Sequence, residues 1–125
     1  MNHMSDASDP LISIRDMAQR SGVVASTLRY YEKLGLISTE RVNGGGHRRY
    51  RESTFHKINY ITLAQRAGFT LEEIKEQLAI LPARLPPSKQ EWAPLSKLWN
   101  ERINQRIKEL KQLKIEINNC PNNCT

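Results

Sequence analysis

The 125-residue sequence predicts a mainly α-helical protein, in which a winged helix-turn-helix head is followed by one long C-terminal helix. Three observations support this fold class. Two short amphipathic segments flank a glycine turn, a glycine-rich loop lies among arginines, and an apolar repeat of threes and fours fills the last third of the chain. We therefore expect a loose tail at 1–10, a head at 11–81, a long helix at 88–118 and a cysteine-containing loop at 119–125.

The second short helix, expected from Ser26 to Leu36, is the central element of the predicted head. Ser26 or Thr27 can cap its start, and Gly35 can end it. Its apolar positions recur at spacing three and predict one buried face, made of Leu28, Tyr31 and Leu34. The remaining positions suit phosphates and base edges, and they are Thr27, Arg29, Tyr30 and Lys33.

An arginine-rich hairpin follows. Four arginines and no acid lie between Arg41 and Arg51, around the run Asn43-Gly44-Gly45-Gly46. Glycine and asparagine supply the positive φ angles of a hairpin tip, so the pattern predicts a two-stranded wing. A bare tip beside arginines can approach a sugar-phosphate backbone closely.

Charge and composition narrow the function class. The net charge is +6, and residues 1–67 hold ten Lys and Arg against six Asp and Glu. This excess in the head is the electrostatic footprint of a nucleic-acid-binding protein. No segment approaches 18 apolar residues, and the first ten residues lack a signal-peptide core, so we expect a cytoplasmic protein that does not bind membranes. No spacing of Ser, His and acidic residues indicates an enzyme.

The C-terminal helix is predicted to begin at a capping box, Ser88-Lys89-Gln90-Glu91, after the stiff joint Leu85-Pro86-Pro87. Its apolar stripe is typical of a coiled-coil seam. We expect this seam to form a dimer interface, made of Trp92, Leu95, Trp99, Ile103, Ile107, Leu110, Leu113 and Ile117. Packing back across its own head would cover only one end of so long a helix.

Several segments together resemble the MerR family of bacterial transcription regulators. They are Ile14-Arg15-Asp16-Met17-Ala18, Thr27-Leu28-Arg29-Tyr30-Tyr31-Glu32, Gly35-Leu36-Ile37, Arg48-Arg49-Tyr50 and Gly68-Phe69-Thr70-Leu71-Glu72-Glu73-Ile74. The resemblance spans roughly residues 11 to 81, in the family's order. Further along, Glu91-Trp92, Leu95-Ser96, Trp99 and Arg106-Ile107 resemble the SoxR branch, whose members sense redox stress through an iron–sulfur cluster.

The resemblance implies an antiparallel homodimer that binds double-stranded promoter DNA and distorts it so that bacterial RNA polymerase can read the promoter. The side chains that it assigns to DNA are Arg15, Thr27, Arg29 and Tyr30 in the helix-turn-helix, and Arg48, Arg49 and Tyr50 in the wing. In the SoxR branch the residue that matches Trp92 lies near the partner subunit's cluster, although simple core packing explains a tryptophan there equally well.

The cysteines leave the signal open. Cys120 matches the first cluster cysteine of the SoxR pattern, but a [2Fe–2S] cluster needs four thiolates and only Cys120 and Cys124 are present, at Cys-x3-Cys spacing. Three interpretations remain: the sequence stops before further ligands, the pair binds Cu(I), or the cysteines bind nothing. We do not expect a zinc site or, in the cytosol, a structural disulfide.

A second class of function is an accessory or antagonist dimer, which occupies promoter DNA but senses no signal. A sensor should change its spectrum or the DNA conformation on redox or metal treatment, whereas an accessory dimer should not.

Overall fold

The computed structural model describes residues 9–41 and 48–120, and it confirms a mainly helical head that carries a small sheet and a long C-terminal helix. The elements are, in chain order, β1 (Leu11–Ser13), α1 (Ile14–Ser21), α2 (Ala25–Lys33), β2 (Glu40–Arg41), β3 (Arg48–Arg51), α3 (Thr54–Arg66), α4 (Leu71–Ile80) and α5 (Lys89–Asn118). The tip of the predicted wing, 42–47, and most of the predicted tail, 1–8, lie outside the described residues.

Local hydrogen bonds define the helix-turn-helix. The Ser13 hydroxyl accepts the backbone N–H of Asp16 at 3.1 Å and caps α1, which ends at Gly22 with φ 75°. The start of α2 was predicted wrongly: its N-cap is Val24, which makes no side-chain cap bond, so Ser26 and Thr27 lie inside the first turn.

The sheet has the order β1-β3-β2, with both pairs antiparallel. Strand β1 was not predicted, because three residues are too few to show a period of two. Its Ile12 pairs with Tyr50 on β3. Successive side chains of a strand point to opposite faces, and Tyr50 points inward and is fully buried. The prediction that Tyr50 contacts DNA is therefore wrong, since its side chain belongs to the core.

The core of the head fills the space between β3 and the helices α1 to α4. Its fully buried large side chains are Met17, Leu28, Tyr50, Ile58, Ile61 and Ile74. Tyr31 is also buried, as predicted, and its hydroxyl donates to Oε1 of Gln65 at 2.7 Å. Burial raises the pKa of Tyr31, so the phenol remains protonated and can donate this bond.

Two capping boxes are present, and the one at Ser88 was predicted. At α4 the Thr70 hydroxyl and the Glu73 carboxylate exchange hydrogen bonds with each other's backbone N–H, and Ser88 and Glu91 do the same at α5. Each box satisfies two N–H groups that a helix start would otherwise leave unpaired. Between them, residues 81–88 contain no helix or strand, as the proline-rich joint predicts.

The apolar stripe of α5 is divided into two parts. Near the head, Leu95 is buried in its own chain at 5% exposure, and Trp92 and Trp99 pack against the same core. The prediction that Leu95 lies in the dimer interface is therefore wrong, because the head of the same chain already covers it. The second part is uncovered, and its members are Ile103, Ile107, Leu110, Leu113 and Ile117, each at least 40% exposed.

Candidate nucleic-acid interface

The surface of α2 that points away from the core is polar and cationic. Its exposed residues are Ser26, Arg29, Tyr30 and Lys33. These positions follow the spacing i, i+3, i+4 and i+7, so they lie on one helical face, opposite the buried Leu28 and Tyr31. A face of this kind suits an element that enters a DNA groove.

Arg29 is the central cation of this face. Among the described residues its side chain makes no ion pair or hydrogen bond, so its five donors are available to a ligand. Tyr30 beside it is 51% exposed, which is high for an aromatic side chain. Thr27 is half-buried and lies at the edge of the face. Of the predicted contacts, these three are therefore brought together on one helix.

Arg15 lies outside α2, in the first turn of α1, and is exposed. Like Arg29, it has no ionic or hydrogen-bonding partner within the described parts of the chain. In a helix-turn-helix the first helix crosses the DNA backbone while the second enters the major groove. Arg15 is thus suited to a phosphate and not to a base.

The wing arginines have different roles. Arg51 is held by the protein itself, because its Nε and Nη2 donate to the Glu40 carboxylate at 2.8 and 3.0 Å, and its Nη1 donates to the Asp9 carbonyl at 3.0 Å. Arg49 is half-buried and makes no such pair within the described residues. The side chain of Arg48 is outside the described part of the chain. Arg49 is therefore one described wing arginine that can meet a phosphate.

One member of the α2 face, Ser26, was interpreted from the sequence as a helix cap. Its spacing from Arg29 and Tyr30 was a signal that could have placed it on this face. The end of α2 is anchored from another helix, since Nζ of Lys75 donates to the Leu34 carbonyl at 3.1 Å.

The C-terminal end of α5 carries Cys120, which has φ 59°. Contrary to expectation, Cys120 is disulfide-bonded, and the other cysteine, Cys124, lies outside the described residues. Within residues 9–41 and 48–120, no three His, Cys, Asp or Glu side chains form a metal-binding group. No helix in the same ranges is long and apolar enough to cross a membrane.

Comparison with known proteins agrees with this geometry. Residues 12–79 match the family described as MerR HTH family regulatory protein, and residues 55–120 match the one described as MerR, DNA binding. A SoxR homolog from Chromobacterium violaceum, an HTH-type transcriptional activator, is 37% identical over 109 residues, which cover 87% of this chain and 73% of that protein. The mercuric resistance operon regulatory protein of Bacillus cereus is 33% identical over 100 residues, which cover 80% of this chain and 75% of that protein.

The fold agrees with that of a solved structure. HiNmlR, a MerR family regulator lacking the sensor domain and bound to promoter DNA, superposes with a TM-score of 0.60 at 23% identity, covering 83% of this chain and 78% of that chain. The helix-turn-helix, the small sheet and the long helix are thus elements of a known architecture. The chain belongs to the MerR family of helix-turn-helix regulators, which are DNA-binding transcription regulators and not enzymes.

Proposed function

We propose that two copies of the chain bind a promoter together, with α2 of each copy in the major groove and the wing on the phosphate backbone. The observation that carries this proposal is the exposed face of α2, where Arg29 lies beside Tyr30 and makes no ion pair within the described residues. Arg29 and Tyr30, with Thr27 at the edge, are assigned to base edges and adjacent phosphates. Arg15, Arg48 and Arg49 are assigned to phosphates.

The uncovered stripe of α5 supports the homodimer. Its five apolar side chains are between 40% and 59% exposed in one chain and lie beyond the head. A row of Ile and Leu at coiled-coil spacing is stabilised when a second helix covers it. The family resemblance implies an antiparallel arrangement, which holds the two heads at opposite ends of the helix pair.

The way in which the dimer would regulate transcription is implied by the family resemblance. The dimer binds a promoter whose −35 and −10 elements are too far apart, and a signal at the Cys120 end changes the DNA so that RNA polymerase can use it. Deforming a duplex costs a few kcal/mol, so the signal must favour one protein state over the other by a similar free energy.

The sensed signal is proposed to be redox or metal chemistry at Cys120 and Cys124. The two cysteines do not fit a [2Fe–2S] cluster, because they supply half of its four thiolates. Two thiolates are sufficient for a soft monovalent ion such as Cu(I). The disulfide at Cys120 supports the redox part, since only the reduced thiolates can bind the metal. The alternative is an accessory dimer that occupies promoter DNA without a sensor.

The assignment of α2 to bases and of the wing to phosphates predicts different losses of DNA affinity for substitutions in the two elements. Arg29→Ala should weaken binding to the preferred operator by about 1–3 kcal/mol and relax the choice of base at one position, because a base contact carries sequence information. Arg49→Ala should weaken binding to all DNA about equally and lower the salt slope by about 0.9, because a phosphate contact carries none. Fluorescence anisotropy over a salt series measures both effects.

The control for this pair is Lys97→Ala, which removes an exposed cation from α5. It should change the operator affinity less than Arg29→Ala does, and the salt slope less than Arg49→Ala does. An Arg29→Ala variant that loses affinity for every DNA equally would contradict the assignment of α2 to base edges.

The dimer assignment predicts that Ile107→Asp is monomeric. An unpaired charge inside a helix pair costs several kcal/mol, so sedimentation should show one chain and operator affinity should fall, while the head stays folded. Ile115→Asp is the matched control, since Ile115 is 53% exposed but lies off the stripe, and this variant should remain dimeric. A dimer that survives Ile107→Asp unchanged would exclude the coiled-coil interface.

The sensor assignment predicts one tightly bound Cu(I) per reduced 125-residue chain, with no iron–sulfur absorbance in the visible region. Metal analysis and absorption spectra of anaerobically purified protein test this. Cys120→Ser and Cys124→Ser should each abolish binding, because one thiolate is not enough. Brown protein with two irons per chain would contradict the copper assignment, and reduced protein that binds neither metal nor cluster would favour the accessory dimer.

A further inference from the structure

Gln77 links three helices at the point where the long helix leaves the head. Apart from three tyrosines, it is the single buried side chain with a polar or charged group in the described part of the chain, at 4% exposure. From its position on α4, its Oε1 accepts the hydroxyl of Tyr60 on α3 at 2.6 Å and the indole N–H of Trp99 on α5 at 3.0 Å. One oxygen atom therefore joins α3, α4 and α5.

The chemistry of the donors determines how this oxygen is oriented. An indole N–H can only donate, so the amide oxygen of Gln77, not its NH₂ group, must face Trp99. Burial raises the pKa of Tyr60 to about 12, so its hydroxyl also remains protonated and donates. Hydrogen bonds weaken steeply as the donor angle falls below about 120°, whereas apolar contacts tolerate sliding. The bond from Trp99 to Gln77 thus adds a directional restraint on α5 to the aromatic packing of Trp99 against Tyr60 and Phe69.

A second attachment lies three residues beyond Trp99. Nη1 of Arg102 donates to the Gly68 carbonyl at 2.9 Å, and Nη2 donates to Oε2 of Glu73 at 2.9 Å. The guanidinium carbon also lies 4.3 Å from the centre of the Phe69 ring. The hydrogen bond from Arg102 helps to lower the pKa of Glu73 to about 2, so this carboxylate is charged at neutral pH. Two attachment points along α5 define its direction as well as its position.

A small change in the angle of α5 at the head causes a large displacement of its far end. From Arg102 to Asn118 the helix rises about 24 Å, and the stripe proposed for dimerisation lies in this part. A change of about 10° in its angle would move the far end by about 4 Å, which is more than the rise of about 3.4 Å per base pair of DNA. A small error at the attachment would therefore place the partner's head over the wrong base pair.

We propose that Gln77 is a positioning residue for DNA recognition: by holding Trp99 and Tyr60 together it sets the angle at which α5 leaves the head, and so the separation of the two half-sites that the dimer accepts. This inference rests on the proposed dimer. It goes beyond that proposal because Gln77 lies in the core and touches neither the DNA nor the partner's stripe.

The test must separate positioning from stability. Gln77→Met alone leaves two buried donors without an acceptor and will lower stability. Gln77→Met combined with Tyr60→Phe and Trp99→Phe removes every partner. Because Trp99→Phe also loses ring packing on Tyr60 and Phe69, Trp99→Phe alone is measured beside it. Gln77→Glu keeps an acceptor oxygen and is the conservative rescue. A matched control is Ile61→Val on α3, a fully buried substitution that lowers stability through lost packing but removes no hydrogen bond.

The first measurement is the affinity for a series of DNA duplexes. Each duplex carries two copies of the half-site that the wild type selects, and the separation between the copies is varied one base pair at a time. The wild type, Gln77→Glu and the Ile61→Val control should favour one separation at least tenfold over its neighbours one base pair away. The triple apolar variant should discriminate less than threefold, with unchanged affinity for a single half-site. A triple variant that keeps the wild-type discrimination between separations would overturn the proposal, whatever its thermal stability.

The second measurement needs no DNA. Spin labels at Glu76→Cys on α4 and Lys114→Cys on α5, with Cys120→Ser and Cys124→Ser and an excess of unlabelled chain, report the angle within one chain. The distance distribution should be narrow in this background and broad when the three apolar substitutions are added. Equal widths would overturn the role of Gln77 whether or not the protein binds paired half-sites. A wild type that binds no paired half-sites, with the widths as expected, would instead overturn the proposed function.

Discussion

The packing of Leu28 and Tyr31 into the head is the interaction on which the rest of the structure depends. Leu28 is fully buried, and the Tyr31 hydroxyl reaches Gln65 on α3, so α2 cannot rotate about its own axis without breaking both contacts. Because these two residues point inward, Arg29 and Tyr30 must point outward. A buried pair of side chains thus determines which face a DNA molecule would meet, although neither member of the pair would touch it.

The apolar stripe of the long helix α5 is covered by the head at one end and exposed to water further along. Near its start, Leu95 and Trp99 are covered by the head, which attaches the helix firmly to the DNA-binding unit. Further along, Ile107 and Leu110 have no neighbour within the described part of the chain that removes them from water. The same hydrophobic effect therefore stabilises the attachment within one chain and favours association between two chains. Gln77 adds direction to an attachment that apolar packing alone would leave free to slide.

Much of this fold could be predicted from the sequence because its signals are local. The caps Ser13, Thr70 and Ser88 act within three residues of themselves, so the sequence pattern alone reveals them. Tyr50 was assigned wrongly because the inward and outward faces of β3 depend on its pairing with β1, a strand too short to recognise. Leu95 was assigned wrongly because a coiled-coil repeat does not tell which helix or domain covers it. Gln77 could not be found, since its partners are 17 and 22 residues away in sequence.

The central claim is that two copies of α2 read the major groove, and chemical footprinting tests it most directly. Dimethyl sulfate methylates guanine N7, an atom that lies in the major groove. With wild-type protein on DNA that it has selected, we expect two patches of protected guanines on one face of the duplex, separated by whole helical turns. Binding that leaves guanine N7 fully reactive throughout the site, with protection confined to the phosphate backbone, would contradict the account.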